Sequence, residues 1–217
     1  MVKPLLEGFE KFRTDIFSKD KSFFDNLIKR GQKPKIMVIS CSDSRVDPAI
    51  LFGTRPGELF VVRNVANLVP PYEPDDGYHG VSAAIEFAVR DLLVNHIVIL
   101  GHAHCGGISS LCEHYKERSF DKKKNKKKPS REFLNSWIDI AKPALKNIDF
   151  SVSSIETQIQ AEQGSIINSL NNLMTFPWVF DEIGKSNLKL HGWWFNMENA
   201  SLWSKNEGKD IFYRIVP

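Results

Sequence analysis

Apolar side chains recur along the chain in two rhythms, one helical and one extended. Leu5, Phe9, Phe12 and Ile16 are spaced four, three and four residues apart, which places them on one face of a helix. KIMVISC at 35–41 is a short apolar run with β-branched members. It predicts a buried strand, because a parallel strand covered on both faces loses strict alternation. ELFVV at 58–62 predicts a second strand, and HIVIL at 96–100 a third that ends at Gly101. Between these two, Val81, Ala84, Ile85, Ala88 and Leu92 form the apolar stripe of a helix over 78–94. Further helices are predicted from near Gly106 to about Tyr115, over 131–147, and over 151–174, the last carrying Ile155, Ile159, Ile166, Leu170 and Leu173. Pro177 breaks that pattern, and a short helix then reaches Gly184. LKLHGWWF at 188–195 reads as a strand, with two weaker strands at 200–204 and 211–216. The order strand, strand, helix, strand predicts an α/β fold, a mainly parallel central β-sheet flanked by helices. Neither a repeat nor a linker divides residues 1–217, so a single domain is expected. It would have an N-terminal helical arm over about 1–30 and a lysine-rich surface loop over about 117–130.

Composition narrows the class. With 42% hydrophobic and 25% charged residues, the chain is a globular mixture rather than a disordered one. No stretch approaches the ~18 consecutive apolar residues of a membrane span, so no membrane partner is expected. MVKPLLEGFEKFRTDIF at the N-terminus mixes acids and bases through its apolar positions, unlike a secretory leader. Three cysteines are an odd number and too few for a disulfide scaffold, which points to a reducing, cytoplasmic setting. The formal net charge of +3 is local in origin: KKKNKKK at 122–128 holds six lysines, and without them the remainder would carry −3.

Two segments carry chemistry, and both follow predicted strands. Cys41-Ser42-Asp43-Ser44-Arg45 closes the first strand, and His102-Ala103-His104-Cys105-Gly106-Gly107 follows the third. Ligands of open α/β sheets bind at the carboxyl ends of strands, so both segments face the expected functional edge. Cys41, His102 and Cys105 make a candidate Zn²⁺ site. Thiolate and imidazole suit this borderline-soft ion, and three protein ligands leave a fourth position open for catalysis. His104 is an alternative to His102 on spacing alone. Asp43 and Arg45, two residues apart, can form a bidentate carboxylate–guanidinium pair.

With CSDSR at 41–45, PGELFVVRNVAN at 56–67, GVSAAIEFAV at 80–89, GHAHCGG at 101–107, NSLNNLMTFPWV at 168–179 and LKLHGWWF at 188–195, the sequence resembles a β-class carbonic anhydrase over about residues 20–200. The resemblance implies reversible hydration of CO2 to bicarbonate and a proton by attack of zinc-bound hydroxide. It implies one Zn²⁺ per subunit, held by Cys41, His102 and Cys105, and selects His102 over His104. Asp43 and Arg45 would be catalytic, with Arg45 holding Asp43 off the metal so that its carboxylate orients the hydroxide. Unpaired, Asp43 would become a fourth ligand in a closed form. Gln32 would serve a partner subunit's substrate pocket, with Phe60, Phe87, Gly106 and Gly107 also in contact with substrate. Phe87 stands where the family has tyrosine and so lacks one hydroxyl. Val38, three residues before Cys41, replaces the tryptophan of the inhibited subtype and indicates the open one. Family members dimerise through their N-terminal helices and sheets, so a homodimer or dimer-based oligomer is expected.

Other readings rest on single features. A hydrolase for COS or CS2 would share this scaffold, and a non-catalytic zinc module would share the ligands. The lysine run could bind nucleic acid, but no aromatic interleaves it and no nucleic-acid motif accompanies it, so no nucleic-acid partner is expected. Cys112 reads as a packed thiol, His79, His96, His114 and His191 as structural or solvated, and Trp193 and Trp194 as core or interface residues.

Overall fold

The computed structural model describes residues 2–120, 131–146, 148–151 and 153–217. The lysine run at 122–128 lies outside them. Six strands form one sheet in the order β2-β1-β3-β4-β5-β6. They are β1 (Ile36–Cys41), β2 (Leu59–Asn64), β3 (His96–His102), β4 (Lys189–Asn196), β5 (Ser201–Lys205) and β6 (Phe212–Val216). The first four in that order are parallel, while β5 and β6 add on antiparallel. The expected sheet and both weak strands are therefore present.

The central strands are apolar on both faces because both are covered. Met37, Ile39, Ile97 and Ile99 pack with Ile166 and Leu173 of α7 (Ser154–Leu173) and Val179 of α8 (Pro177–Gly184) on one face. Val38, Val98 and Leu100 meet Leu51, Phe52 and Trp193 on the other. Three helical segments depart from the sequence pattern. Leu51 and Phe52 belong to α3 (Pro48–Phe52), too short for periodicity to reveal. It is set by Pro48 at its first turn and by Asp47, whose Oδ1 accepts from the N–H groups of Ala49 and Ile50. The helix expected over 78–94 is α4 (Gly80–Glu86), which widens into a π-turn at Phe87–Asp91. Within 131–147 an α-turn, α6 (Leu134–Ile138), tightens into a 3₁₀ segment over Asp139–Leu145, where Pro143 has no N–H to donate.

The N-terminal arm comprises α1 (Lys3–Lys11), a π-turn at Phe12–Phe17, and α2 (Lys21–Arg30). None of its helical residues is buried within the chain, and Leu5, Leu6 and Phe9 are each more than 60% exposed. No helix among the described residues is long and apolar enough to cross a membrane.

Candidate metal centre

Adjacent parallel strands bring the chemistry together. β1 ends at Cys41 and β3 at His102, and the two strands are hydrogen-bonded neighbours. Cys105 follows on the turn that leads into α5 (Gly106–Phe120). The ligand atoms of Cys41, His102 and Cys105 all lie within 4.8 Å of one another, and all three residues are buried. The two Sγ atoms are 3.9 Å apart. His102 Nδ1 lies 2.8 Å from the carbonyl oxygen of Ala103, which can only accept, so the proton sits on Nδ1. Nε2 is thereby left with its lone pair, buried and without a hydrogen-bond partner among the described residues. An orphaned imidazole nitrogen beside two buried thiols makes a donor set that fits three corners of a tetrahedral zinc site.

The structure separates the two histidines that spacing alone left open. His104 has a left-handed backbone (φ 58°), and its Nε2 meets Glu198 Oε1 at 2.7 Å instead of joining the cluster. Cys112, also buried, lies on α5 outside the cluster, and burial pushes its thiol up to about 11.

The two cluster thiols act as a pair. Their mutual contact lowers the Cys41 thiol, while the same contact and burial drive the Cys105 thiol up. The backbone N–H of Ala66 also reaches Cys41 Sγ at 3.4 Å. Ala66 takes a left-handed conformation (φ 67°) in the loop after β2, and that loop packs against Gly107. A Cβ on Gly107 would lie 2.9 Å from Ala66 Cβ and from Val65 Cγ1, whereas one on Gly106 would meet open space.

Asp43 is locked to Arg45. Its Oδ1 accepts from Arg45 N at 3.0 Å and Nε at 2.9 Å, and its Oδ2 accepts from Nη2 at 2.7 Å. The Arg45 guanidinium holds the Asp43 carboxyl well below the usual carboxylate range, so Asp43 is an ionised, acceptor-only group. Its Oδ2 is 3.9 Å from His102 Nε2, beside the cluster rather than in it. Arg45 Nη2 also donates to the His104 carbonyl at 3.1 Å, tying the two loops together.

Arg63 on β2 was not singled out by motif. It donates to the carbonyls of Cys41, Asp43 and Val46 and to Asp47 Oδ2, at 2.7–3.0 Å, and so stitches the whole CSDSR turn. The available signal was a cation between Val62 and Asn64 in an otherwise apolar strand. Phe60 and Phe87 meet each other at a centroid distance of 5.9 Å. Phe60 is paired with Met37, four residues before Cys41, and so lies roughly 13 Å along the strands from the cluster. Gln32 is exposed in the connection between α2 and β1.

Comparison with known proteins places this geometry. The carbonic anhydrase family matches residues 36–202. Beta carbonic anhydrase 5, chloroplastic, of Arabidopsis thaliana is 36% identical over 198 residues, covering 90% of this chain and 62% of that protein. This chain thus spans under two thirds of that relative. A carbonic anhydrase of Synechocystis sp. is 33% identical over 204 residues, 93% of this chain and 70% of that protein. The structure of the beta-carbonic anhydrase CcaA superposes with a TM-score of 0.83 at 29% identity, covering 99% of this chain and 98% of that one. The fold and the Cys-His-Cys cluster are those of a β-class enzyme scaffold. The chain belongs to the carbonic anhydrase family.

Proposed function

We propose that this protein catalyses the reversible hydration of CO2 to bicarbonate and a proton at a zinc ion held by Cys41, His102 and Cys105. The observation that carries this reading is the buried cluster itself, with an imidazole nitrogen that has no partner among the described residues and two thiols within 4.8 Å of it. When bound, zinc supplies Lewis acidity, which in the three-histidine carbonic anhydrases lowers the pKa of a water to about 7 and so yields a nucleophile at neutral pH.

The chain's own residues supply the rest. Asp43, ionised and fixed by Arg45, presents Oδ2 beside the cluster, where it would accept a hydrogen bond from the O–H of the attacking oxygen and so orient that oxygen's lone pair toward CO2. We assign Gly106 and Gly107 to the bicarbonate side of the site: they open α5, whose positive dipole end favours an anion, and the Gly107 N–H also acts on the Cys105 sulfur. We assign the hydrophobic substrate pocket to a second copy of the chain. In this reading Phe60 serves a neighbour, since it lies too far down its strand to reach its own cluster, and Phe87, which meets it, and the exposed Gln32 go with it. The unpartnered apolar face of α1 supplies the contact for a homodimer or dimer-based oligomer. Free buried thiols fit a reducing, cytoplasmic compartment, and residues 1–217 act as one domain in this reading.

Arg45→Ala tests the assignment of the Asp43–Arg45 pair. Releasing Asp43 should lower CO2 hydration by about tenfold or more, the usual cost of losing an outer partner of a metal site. Near wild-type turnover across pH 6–9 would remove the pair from the mechanism.

A further inference from the structure

Behind the cluster, α7 grips the backbone of Cys105 at both of its polar groups. The Cys105 N–H donates to Glu162 Oε1 at 2.9 Å, and its carbonyl accepts from Gln158 Nε2 at 3.2 Å. Gln158 Nε2 also donates to Glu162 Oε1 at 2.8 Å. The two residues are four apart on one helix face, so they approach the turn together. Glu162 Oε2 accepts from Trp194 Nε1 at 3.0 Å, which extends the tie to β4. Glu162 is 2% exposed. A buried carboxylate is costly unless its oxygens are satisfied, and here three N–H groups satisfy them. Those three partners are neutral, so the charge of Glu162 favours a cation in the neighbouring cluster.

We infer that Glu162 is a positioning residue for the metal centre. With Gln158 it fixes the turn that carries Cys105, and its identity as a carboxylate is dictated by the number of donors it must satisfy. The inference rests on the zinc-site reading above. Glutamine has the same shape but only one acceptor end. Turned either way, its NH2 group would face an N–H: that of Trp194 in one orientation, those of Cys105 and Gln158 in the other. The isostere is therefore a poor substitute, and the misfit centres on one removable donor. Trp194→Phe deletes the indole N–H and lets a glutamine at 162 place its oxygen on Cys105 and its NH2 toward the vacated position.

The test uses Co²⁺ as the probe metal, bound to the wild-type protein, Glu162→Gln, Trp194→Phe and the double variant. Sulfur-to-cobalt absorption reports ligand geometry, the rate of release to a chelator reports retention, and thermal melting reports folding. The expected result for Glu162→Gln is release about 10–100-fold faster with a shifted charge-transfer band. The double variant should recover toward wild type rather than lose further. Should Glu162→Gln fail to fold, Gln158→Leu, which removes the carbonyl tie and one of the three donors to Glu162 but leaves those of Cys105 and Trp194, must still speed release severalfold. Release within twofold of wild type with an unchanged spectrum would overturn the inference, as would a double variant that loses at least as much as the two single changes together. Wild-type protein that binds no cobalt would overturn the metal-centre reading and this inference with it. Wild-type protein that binds metal in the expected geometry but hydrates no CO2 would overturn only the reaction, and the effects on cobalt would still support the clamp.

Discussion

The two glycines after Cys105 have opposite steric roles. Gly107 lies against the 65–66 loop, and that loop carries the N–H directed at Cys41. Gly107→Ala should cost about 1–3 kcal/mol, the typical cost of forced overpacking, whereas Gly106→Ala should stay within about 0.5 kcal/mol. Denaturant unfolding of both variants checks this, and equal losses would mean that the close approach does not constrain the turn. The same scale shows why some residues were legible and others not. Cys41, His102 and Cys105 stood out because thiols and an imidazole fell at strand ends with H-x-x-C spacing. Glu162 was hidden because a lone Glu on a helix reads as solvated. Its position was nevertheless anomalous, since it sits three residues after Ile159 and four before Ile166, in the stripe that carries the helix's apolar side chains. Arg63 was hidden likewise, because nothing in a sequence says that one arginine will meet four acceptors.

Apolar and β-branched runs revealed the central strands, because these are covered on both faces, while β5 and β6 gave only a weak signal. Helix ends were less legible. Widened and tightened turns at Phe87–Asp91 and Asp139–Leu145 follow from local backbone conditions that apolar spacing does not encode. Pairing of β3 with β4 also creates a contact that no motif predicted. His96 Nδ1 and His191 Nε2 lie 3.0 Å apart on neighbouring strands at the end opposite the cluster. Burial, then the nearby His96, lowers the His191 pKa below 6.5, while Glu207 raises it and Lys189 adds to the lowering. A histidine held neutral in the fold is protonated more readily once unfolded. Stability should therefore hold above pH ~6.5 and fall as the pH drops below that value. His191→Gln should flatten this slope in denaturation midpoints measured between pH 7.5 and 5.5. An unchanged slope would place the acid sensitivity elsewhere.

At the scale of the whole molecule, the single chain is an incomplete catalyst in this account. The proposed metal ligands and the Asp43–Arg45 pair are its own, while Gln32, Phe60 and Phe87 are proposed to work for a partner. An arm with no buried helical residue is the counterpart of that arrangement. Phe9→Glu, at a position 62% exposed in the single chain, should shift the protein to monomers in sedimentation and reduce CO2 hydration in parallel. A monomer with full activity would return the pocket to one chain. The net charge of +3 has no part in the proposed chemistry, because CO2, the proposed substrate, is neutral and six of the positive charges belong to the run at 122–128. The most direct measurement is stopped-flow CO2 hydration with zinc content, made on the wild-type protein and on Cys105→Ala. One zinc per chain with rapid hydration is expected in the first, and loss of both in the second. Stoichiometric zinc in the wild-type protein without hydration, or hydration surviving in Cys105→Ala, would contradict the proposed function.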